Sequence, residues 1–382
     1  MRWASAFLFA LSLCAALGVS AAPPRWHELA AREYGVADYV ADFGRHYGDA
    51  EESEMRAALI VKRLAAIRAH NAGDAPYKLG VNHFTDRTDA ELARLRGVRG
   101  ARLAPLRSAA ASPPRKDVEL LPAAVDWRAK GVVTAVKNQG GCGSCWAFAA
   151  TEAVESAFAL ATGRLEVLSE QQVLDCTPNP LECGGDGGCA GGTPELAFAR
   201  MASLGGLASE WAYPYLSFGG QGVGPCRAAG NATAGVAPTA AVVGFQQLPS
   251  NEELPVLQAL AERGPLAVNV DASAWFSYES GVFTGCAKAT EDIDHAVNVV
   301  GYGTDAASGL DYYLIRNSWS TAWGEAGYMR LLRQPGAPRC ATDVTPFDGS
   351  DCRDVPDPVQ AVTVCGECGI LYDVSYPLVT AP

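Results

Sequence analysis

The chain has 382 residues and a formal net charge of −12 at pH 7, so it is long enough for two or three folding units. The charge is uneven, because residues 121–382 carry 13 Lys and Arg against 28 Asp and Glu, whereas residues 22–120 are nearly balanced. This acidic balance excludes a basic nucleic-acid-binding surface.

The first 21 residues have the pattern of a secretory signal peptide. Arg2 precedes a short apolar run at residues 6–19, and small residues lead up to Ala21. A membrane anchor is the weaker alternative, because a spanning helix needs about 20 apolar residues, and no later segment reaches that length. We expect a protein without a membrane span that enters the secretory pathway and reaches a lysosome, a vacuole or the extracellular space.

The next part of the chain, residues 22–120, has a helical and then an irregular pattern. Residues 26–41 and 53–69 mix charged side chains with apolar positions three and four apart, which predicts two helices. Residues 97–114 are rich in Arg, Ala, Pro and Ser without periodicity, which is typical of an exposed linker and cleavage zone.

A third part, residues 121–382, is rich in Gly, Trp and Cys. Its first half predicts helices at residues 145–162, 169–176 and 194–204, the longest of them ending at Gly163. Beyond residue 238, short β-rich runs predict strands at residues 241–245, 266–270, 296–301, 312–316 and 327–332. This order predicts an α+β fold of two subdomains with a cleft between them.

The cysteine count predicts one free thiol. Of twelve cysteines, Cys14 lies in the predicted signal peptide and the other eleven follow residue 140. In a secreted chain this odd number indicates five disulfides and one unpaired cysteine. We expect the free thiol at Cys145, where the N-terminus of a helix favours a thiolate.

Three further residues complete a set for cysteine-based acyl transfer. Gln139 lies six residues before Cys145, from where its amide can reach an anion formed beside the sulfur. His295 is the only histidine after residue 121, and Asn317 lies in an Arg-Asn-Ser-Trp run. The predicted nucleophile and base fall in different subdomains, so catalysis is expected at their junction.

The order of these motifs resembles the papain-like cysteine peptidases, specifically the cathepsin L-like branch. The matching runs are Val125-Asp-Trp-Arg, Val136-Lys-Asn-Gln-Gly, Cys142-Gly-Ser-Cys-Trp, Leu168-Ser-Glu-Gln-Gln, Gly188-Cys-Ala-Gly-Gly, Asp294-His, Asn317-Ser-Trp and Trp323-Gly-Glu. The second part resembles the pro-region of that branch, through Gly80-Val-Asn-His-Phe-Thr-Asp and the helix positions Glu52, Arg56, Ile67 and Asn71.

The resemblance implies a helical half and an antiparallel, β-barrel-like half with the active-site cleft between them, preceded by a helical pro-region. It implies a monomeric endopeptidase made as an inactive zymogen, with signal peptide 1–21, inhibitory propeptide 22–120 and mature peptidase 121–382. Its expected partners are polypeptide substrates, its own propeptide and cystatin-type inhibitors, and no cofactor or metal is expected.

The resemblance also implies residue roles. A thiolate of Cys145 pairs with protonated His295, Asn317 orients the imidazole, and Gln139 with the backbone N–H of Cys145 forms the oxyanion hole. Trp319 shields the imidazole–amide bond. The implied substrate-binding residues are Gly191, Gly192, Thr193, Pro194, Ala272, Ile293, Asp294, Trp319 and Asp373.

Asp373 is placed at the floor of the pocket for the second residue before the cut. An acidic floor there favours Arg as well as bulky apolar residues, and the alternative is an Asp that faces solvent. No histidine lies between Cys176 and Cys226, so nothing resembles an occluding loop, and endopeptidase activity is favoured over dipeptidyl exopeptidase activity.

The implied disulfides are Cys142–Cys189, Cys176–Cys226 and Cys286–Cys368. The pairing of the other four cysteines stays open: Cys183, Cys340, Cys352 and Cys365. Three of these lie at or next to an insertion at residues 334–364, which we interpret as a stapled surface loop. The sequon at Asn231 fits a secreted chain.

Two other functions and one other kind of site compete with this interpretation. An inhibitor of other cysteine peptidases would not need the four active-site residues, and an inactive binding relative would not keep them intact. A redox pair or zinc ribbon built from Cys142, Cys145, Cys365 and Cys368 explains neither Gln139 nor Asn317.

Overall fold

The computed structural model describes residues 24–97, 121–228, 235–286, 289–346 and 361–380. The predicted signal peptide, the cleavage zone beyond residue 97 and the sequon at Asn231 lie outside the described residues. Within the described ranges, no helix combines the length and the apolar character needed to cross a membrane.

The expected pro-region is mainly helical within residues 24–97. Its elements are α1 (Trp26–Ala31), α2 (Val36–Asp42), α3 (Ala50–Asn71), β1 (Tyr77–Leu79) and α4 (Asp89–Ala93). The prediction of one helix over residues 26–41 is wrong, because Arg32 and Gly35 both have extended backbones that separate α1 from α2. The second predicted helix is present as α3, a few residues longer at each end.

The helical half of the remaining chain follows the prediction closely. Its helices are α5 (Cys145–Thr162), α6 (Glu170–Cys176) and α7 (Pro194–Ser203). Helix α5 is buried on most sides and ends at Gly163, whose φ of 73° is a left-handed conformation that favours glycine.

The other half is a large sheet with one helix, α8 (Glu253–Glu262). Its strands are β2 (Val125–Asp126), β3 (Ala241–Gln247), β4 (Leu266–Val270), β5 (Tyr278–Phe283), β6 (His295–Thr304), β7 (Asp311–Arg316), β8 (Tyr328–Leu332) and β11 (Asp373–Thr380). Their order is β1-β5-β8-β7-β6-β4-β11-β3, with β2 paired to β6. All pairs are antiparallel except β5 with β8.

Two smaller features complete the architecture. Strand β1 of the pro-region pairs with β5, so the pro-region adds an edge strand to the sheet. The insertion contains a separate hairpin, β9 (Cys340–Asp343) and β10 (Val362–Cys365), closed by a disulfide between Cys340 and Cys365. The prediction expected a stapled surface loop at the insertion but not its two strands, and it did not include the pairing of β1 with β5. Four further elements were also absent from it: α8, β2, β5 and β11.

Two hydrophobic cores meet at the boundary between the halves. One core is built around α5, α6 and α7, and the other lies on the sheet around Trp275, Trp319 and Trp323. Asn298 of β6 donates from its side chain to the carbonyl of Ala149 in α5 at 3.0 Å. This buried bond holds the start of α5 against β6, the strand that begins with His295.

Candidate active site

Cys145 is the first residue of α5, is fully buried, and is the one free cysteine among the described residues. The preceding turn is tight, because a Cβ at Gly143 would lie 2.5 Å from the carbonyl oxygen of Cys189. The backbone N–H of Gly97, in the pro-region, donates to the Cys145 sulfur at 3.2 Å. The pro-region therefore reaches the thiol directly.

His295 and Asn317 lie at the ends of neighbouring strands. His295 begins β6 and Asn317 directly follows β7, and the Nε2 of the imidazole is 2.9 Å from the Oδ1 of the amide. The ring of Trp319 stacks on the imidazole with centroids 4.7 Å apart. The other ring nitrogen, Nδ1, has no hydrogen-bond partner among the described residues.

Gln139 is linked to this pair through Ser318. The Oε1 of Gln139 accepts from the hydroxyl of Ser318 at 2.8 Å, and the N–H of Ser318 donates to the Oδ1 of Asn317 at 2.8 Å. Ser318 was missed as a positioning residue, although it lies inside the Asn-Ser-Trp motif. The network fixes the direction in which the Gln139 amide points.

That amide is occupied by the pro-region. The Nε2 of Gln139 donates to the carbonyl of Leu95 at 2.8 Å, as well as to the carbonyl of Cys142 at 2.8 Å. Two residues later, the carbonyl of Gly97 accepts from the N–H of Gly192 at 3.0 Å. Sequence reasoning ended the helical pro-region at residue 96 and did not single out Leu95 or Gly97 as contacts of the site.

Burial controls the protonation of the cysteine and the histidine. It raises the pKa of Cys145 to about 12, although the backbone N–H groups of Ala296 and Gly97 lower it. It also lowers the pKa of His295 to about 4, whereas the hydrogen bond that the imidazole donates to Asn317 raises it. Burial therefore favours the neutral form of both groups at pH 7 while the pro-region covers them.

Four of the predicted substrate-binding residues lie in one turn that leads into α7. Gly191 has a φ of 111°, and a Cβ on Gly192 would lie 2.8 Å from the ring of Trp146, so both positions favour glycine. Thr193 accepts from the N–H of Leu196 at 3.3 Å and caps α7, and Pro194 lies in its first turn.

Three other predicted substrate-binding residues lie near the start of β6. Ile293 and Asp294 directly precede β6, and Ala272 lies just beyond the end of its partner strand β4. The N–H of Ala272 donates to the Oδ1 of Asp294 at 3.0 Å, and both residues are buried. Ile293 is fully buried and packs against Ala341 and Val364 of the insertion hairpin. The hairpin therefore supports the wall that contains Ile293.

Asp373 is 2% exposed, which excludes the alternative of a solvent-facing carboxylate. Its two oxygens accept from the side-chain amides of Gln247 at 2.9 Å and Asn269 at 2.7 Å. Burial, together with the nearby charge of Asp373, raises the pKa of a second buried carboxyl, Glu195, to about 8. Sequence reasoning missed Glu195, which follows the Gly-Gly-Thr-Pro turn.

The structure contains the three disulfides that the resemblance implies, with S–S distances of 2.06, 2.08 and 2.19 Å. Of the cysteines left open, Cys340 pairs with Cys365, Cys183 is also disulfide-bonded, and Cys352 lies outside the described residues.

In the described ranges, one group of side chains has the spacing of a metal site: Cys286, Glu367 and Cys368. Its two cysteines are bonded to each other and offer no thiolate.

Comparison with known proteins agrees with this geometry. Residues 121–346 match the family model described as papain family cysteine protease, and residues 37–92 match the cathepsin propeptide inhibitor domain (I29). The chain is 34% identical over 386 residues to the senescence-specific cysteine protease SAG39 of Oryza sativa subsp. japonica, covering 99% of each.

Solved structures give the same result. A recombinant stem bromelain precursor aligns with a TM-score of 0.70 and 34% identity, covering 90% of this chain and 98% of its own. Digestive procathepsin L 3 of Tenebrio molitor aligns with a TM-score of 0.68 and 31% identity, covering 89% and 97%. In this structure the pro-region lies across the free cysteine and the imidazole–amide pair, as in a proenzyme. The chain belongs, over most of its length, to the papain family of cysteine endopeptidases.

Proposed function

We propose that this proenzyme matures into an endopeptidase in which Cys145 is the nucleophile, His295 the acid and base, and Asn317 the residue that orients the imidazole. The observation that carries the proposal is the free thiol at the start of α5, beside the strand that begins with His295. Since Nε2 bonds to Asn317, Nδ1 is the ring nitrogen left to exchange a proton with the sulfur.

The reaction follows from these assignments. The Cys145 thiol gives its proton to His295, and the thiolate attacks the scissile carbonyl carbon. The resulting oxyanion accepts from the Gln139 amide and the backbone N–H of Cys145. The imidazolium then protonates the leaving amine, a thioester remains, and water deprotonated by the neutral imidazole releases the carboxylic acid and the free thiol.

The pro-region blocks this chemistry by filling the site with its own backbone. The carbonyl of Leu95 uses the amide that the oxyanion needs, and Gly97 covers the sulfur. Removal of the segment restores water to the cleft, which favours the charged forms of Cys145 and His295.

For substrate selection we infer an extended peptide bound along Gly191 and Gly192, with an apolar or basic second residue before the cut. Asp373 would balance a basic residue there. Phe-Arg and Arg-Arg fluorogenic dipeptides, compared in wild type, Asp373→Ala and Asp373→Asn, test this. A selective loss on Arg-Arg is expected, and an equal loss on both substrates would contradict it.

We infer that maturation takes place in an acidic compartment of the secretory route, such as a vacuole or lysosome, or after secretion, and that the product is a monomer open to cystatin-type inhibitors. Burial and the nearby charges of Arg45 and Arg87 lower the pKa of His83 in the pro-region to about 4. Its protonation therefore adds a positive charge beside two arginines only in acid.

One experiment tests function and activation together. Purified proenzyme is incubated at pH 4–5 or pH 7, and hydrolysis of a Phe-Arg dipeptide is then measured for wild type, Cys145→Ser and His295→Ala. Activity should follow acid treatment of the wild type alone. Equal processing at both pH values would contradict the acid trigger, and full activity in Cys145→Ser would overturn the proposed nucleophile.

A further inference from the structure

The pro-region crosses the cleft in a known direction. Leu95 lies at the Gln139 amide, Gly97 contacts the Cys145 sulfur, and the carbonyl of Gly97 then meets Gly192. Since Gly192 belongs to the wall proposed for residues before the cut, the segment that precedes Gly97 lies on the opposite side of the sulfur. That side receives the residues after the cut.

Arg96 places its side chain in this opposite part of the cleft. Its Nη1 is 2.5 Å from the Oδ2 of Asp294, and its guanidinium lies 5.9 Å from the centroid of the Phe276 ring. The Arg96 side chain is 21% exposed and the Asp294 side chain 9% exposed. A guanidinium is therefore held between a carboxylate and an aromatic face, beside the catalytic histidine.

The groups that receive Arg96 have contacts within the catalytic domain, in addition to the edge-to-face contact of Phe84 in the pro-region with the Phe276 ring. The N–H of Asp294 donates to the carbonyl of Val270 at 3.0 Å, and its Oδ1 accepts from the N–H of Ala272. The Phe276 ring stacks on Trp319 with centroids 4.6 Å apart and planes 12° apart. The contacts within the catalytic domain do not involve the pro-region, so the arrangement is expected to persist after the pro-region leaves.

The electrostatic surroundings add to the attraction for a cation. Burial raises the pKa of Asp294 well above its usual range, the nearby charges of Asp271 and Asp292 add to the rise, and Arg96 is the cation that opposes it. When Arg96 is removed with the pro-region, the carboxylate faces the cleft with two further acidic groups nearby. A basic side chain of a substrate would restore the lost pair.

We propose that the subsite for the first residue after the cut selects a basic side chain in this enzyme, through Asp294 and Phe276, with Arg96 as its built-in occupant in the proenzyme. The proposal rests on the proposed peptidase function. Arginine is preferred over lysine, because its planar guanidinium both pairs with the carboxylate and lies over the aromatic ring.

The test uses acid-processed enzyme and internally quenched peptides that differ only in the first residue after the cut. That residue is Arg, Lys, Glu or citrulline, an uncharged analogue of Arg. The kcat/KM for Arg should exceed that for citrulline by about tenfold, the effect of a hydrogen bond to a charged group, and Glu should be the poorest residue. A wild-type ratio of Arg to citrulline near one would overturn the proposal and leave Arg96 as a contact of the proenzyme alone.

Two variants identify the residues responsible, each read as a ratio so that a general loss of activity cancels. Asp294→Asn should bring the Arg-to-citrulline ratio close to one, without changing discrimination at the second residue before the cut. Phe276→Leu should lower the preference for Arg over Lys. An equal loss on all four peptides in Asp294→Asn would refute the subsite, whereas failure of the wild type to cleave any peptide would refute the peptidase function itself.

Discussion

Gly97 leaves no room for a side chain beside Gly143, in the turn that precedes Cys145. A Cβ at this position would overlap the backbone carbonyl of Gly143, and a backbone cannot move aside as a flexible side chain does. We expect Gly97→Ala to weaken the hold of the pro-region and to raise the rate of processing at pH 7. The control is Gly131→Ala. Gly131 lies in a surface turn with open space around an added Cβ, and its φ of 70° is a left-handed conformation that favours glycine. Equal rates in wild type and Gly97→Ala would contradict the close contact.

Gln139 is expected to act on the transition state rather than on folding. Gln139→Ala should lower kcat by about 10²–10³-fold, because one oxyanion donor is lost. Gln171→Ala is the matched control, since Gln171 is also buried and its carbonyl accepts from the N–H groups of Leu216 and Ser217 away from the thiol. The kcat of Gln171→Ala, calculated per active site, should stay close to the wild-type value. A similar fall in kcat in both variants would remove the special role of Gln139.

The residues that meet at the candidate site could be singled out because short motifs carry them, but the effect of burial on their pKa values could not. A cysteine at a helix start predicts a lowered pKa, and the structure gives the opposite direction for Cys145 because burial disfavours the thiolate more than the neighbouring backbone N–H groups favour it. The side-chain contacts of Arg96 and Glu195 were also out of reach, since they join segments that are 198 and 180 residues apart.

At the scale of elements, the insertion hairpin is anchored by one cation among buried acids. Arg339 pairs with Glu291, whose carboxylate is fully buried, and lies 3.9 Å from Glu367. Burial raises the pKa of Glu291 to about 7, while the Arg339 guanidinium opposes the rise. Arg339, directly before β9, thus links the hairpin to these buried acids, while the hairpin itself packs against Ile293.

We expect Arg339→Ala to lower the free energy of unfolding by about 3 kcal/mol, because it leaves a buried carboxylate without its partner. The control is Arg164→Ala, which breaks an exposed pair with Glu166 and should change stability by less than about 1 kcal/mol. Urea denaturation of the oxidised proenzyme measures both. Equal effects would mean that the hairpin is not held by this pair.

The elements that sequence predicted well are those with a strong local pattern. Helix α5 has an apolar interior and a glycine stop, and its predicted bounds agree with the structure. Strand β11 was missed because its two sheet partners, β3 and β4, lie far away in the chain. Strand β1 was missed because its pairing joins the pro-region to β5, which no local signal indicates.

At the scale of the whole molecule, buried carboxyls make the fold more stable in acid. Burial raises the pKa of Glu152 to about 8, although Arg316 and Lys137 lower it. The folded state therefore holds a proton that the unfolded chain has released, so this stability is present at low pH and is lost as the pH rises through about 8. Glu195, with a pKa of about 8, and Glu210, with a pKa of about 7, act in the same direction.

The melting temperature of the proenzyme should fall between pH 6.5 and pH 8, a range above the titration of His83 and His295. Glu152→Gln should make this fall shallower. In terms of the free energy of unfolding, the pH slope should change by at most about 1.4 kcal/mol per pH unit, which is the effect of one proton. Glu166→Gln, at a partly exposed carboxylate, should leave the slope unchanged. A slope identical in wild type and Glu152→Gln would contradict the assignment.

The central claim is that Cys145 is the nucleophile and that the pro-region keeps it neutral and covered. The most direct measurement is labelling with a peptidyl epoxide before and after acid processing, followed by peptide mapping. The label is expected on Cys145 in the processed protein and not in the proenzyme at pH 7. A label on another residue, a Cys145 found in a disulfide after processing, or equal labelling of both forms would contradict the account.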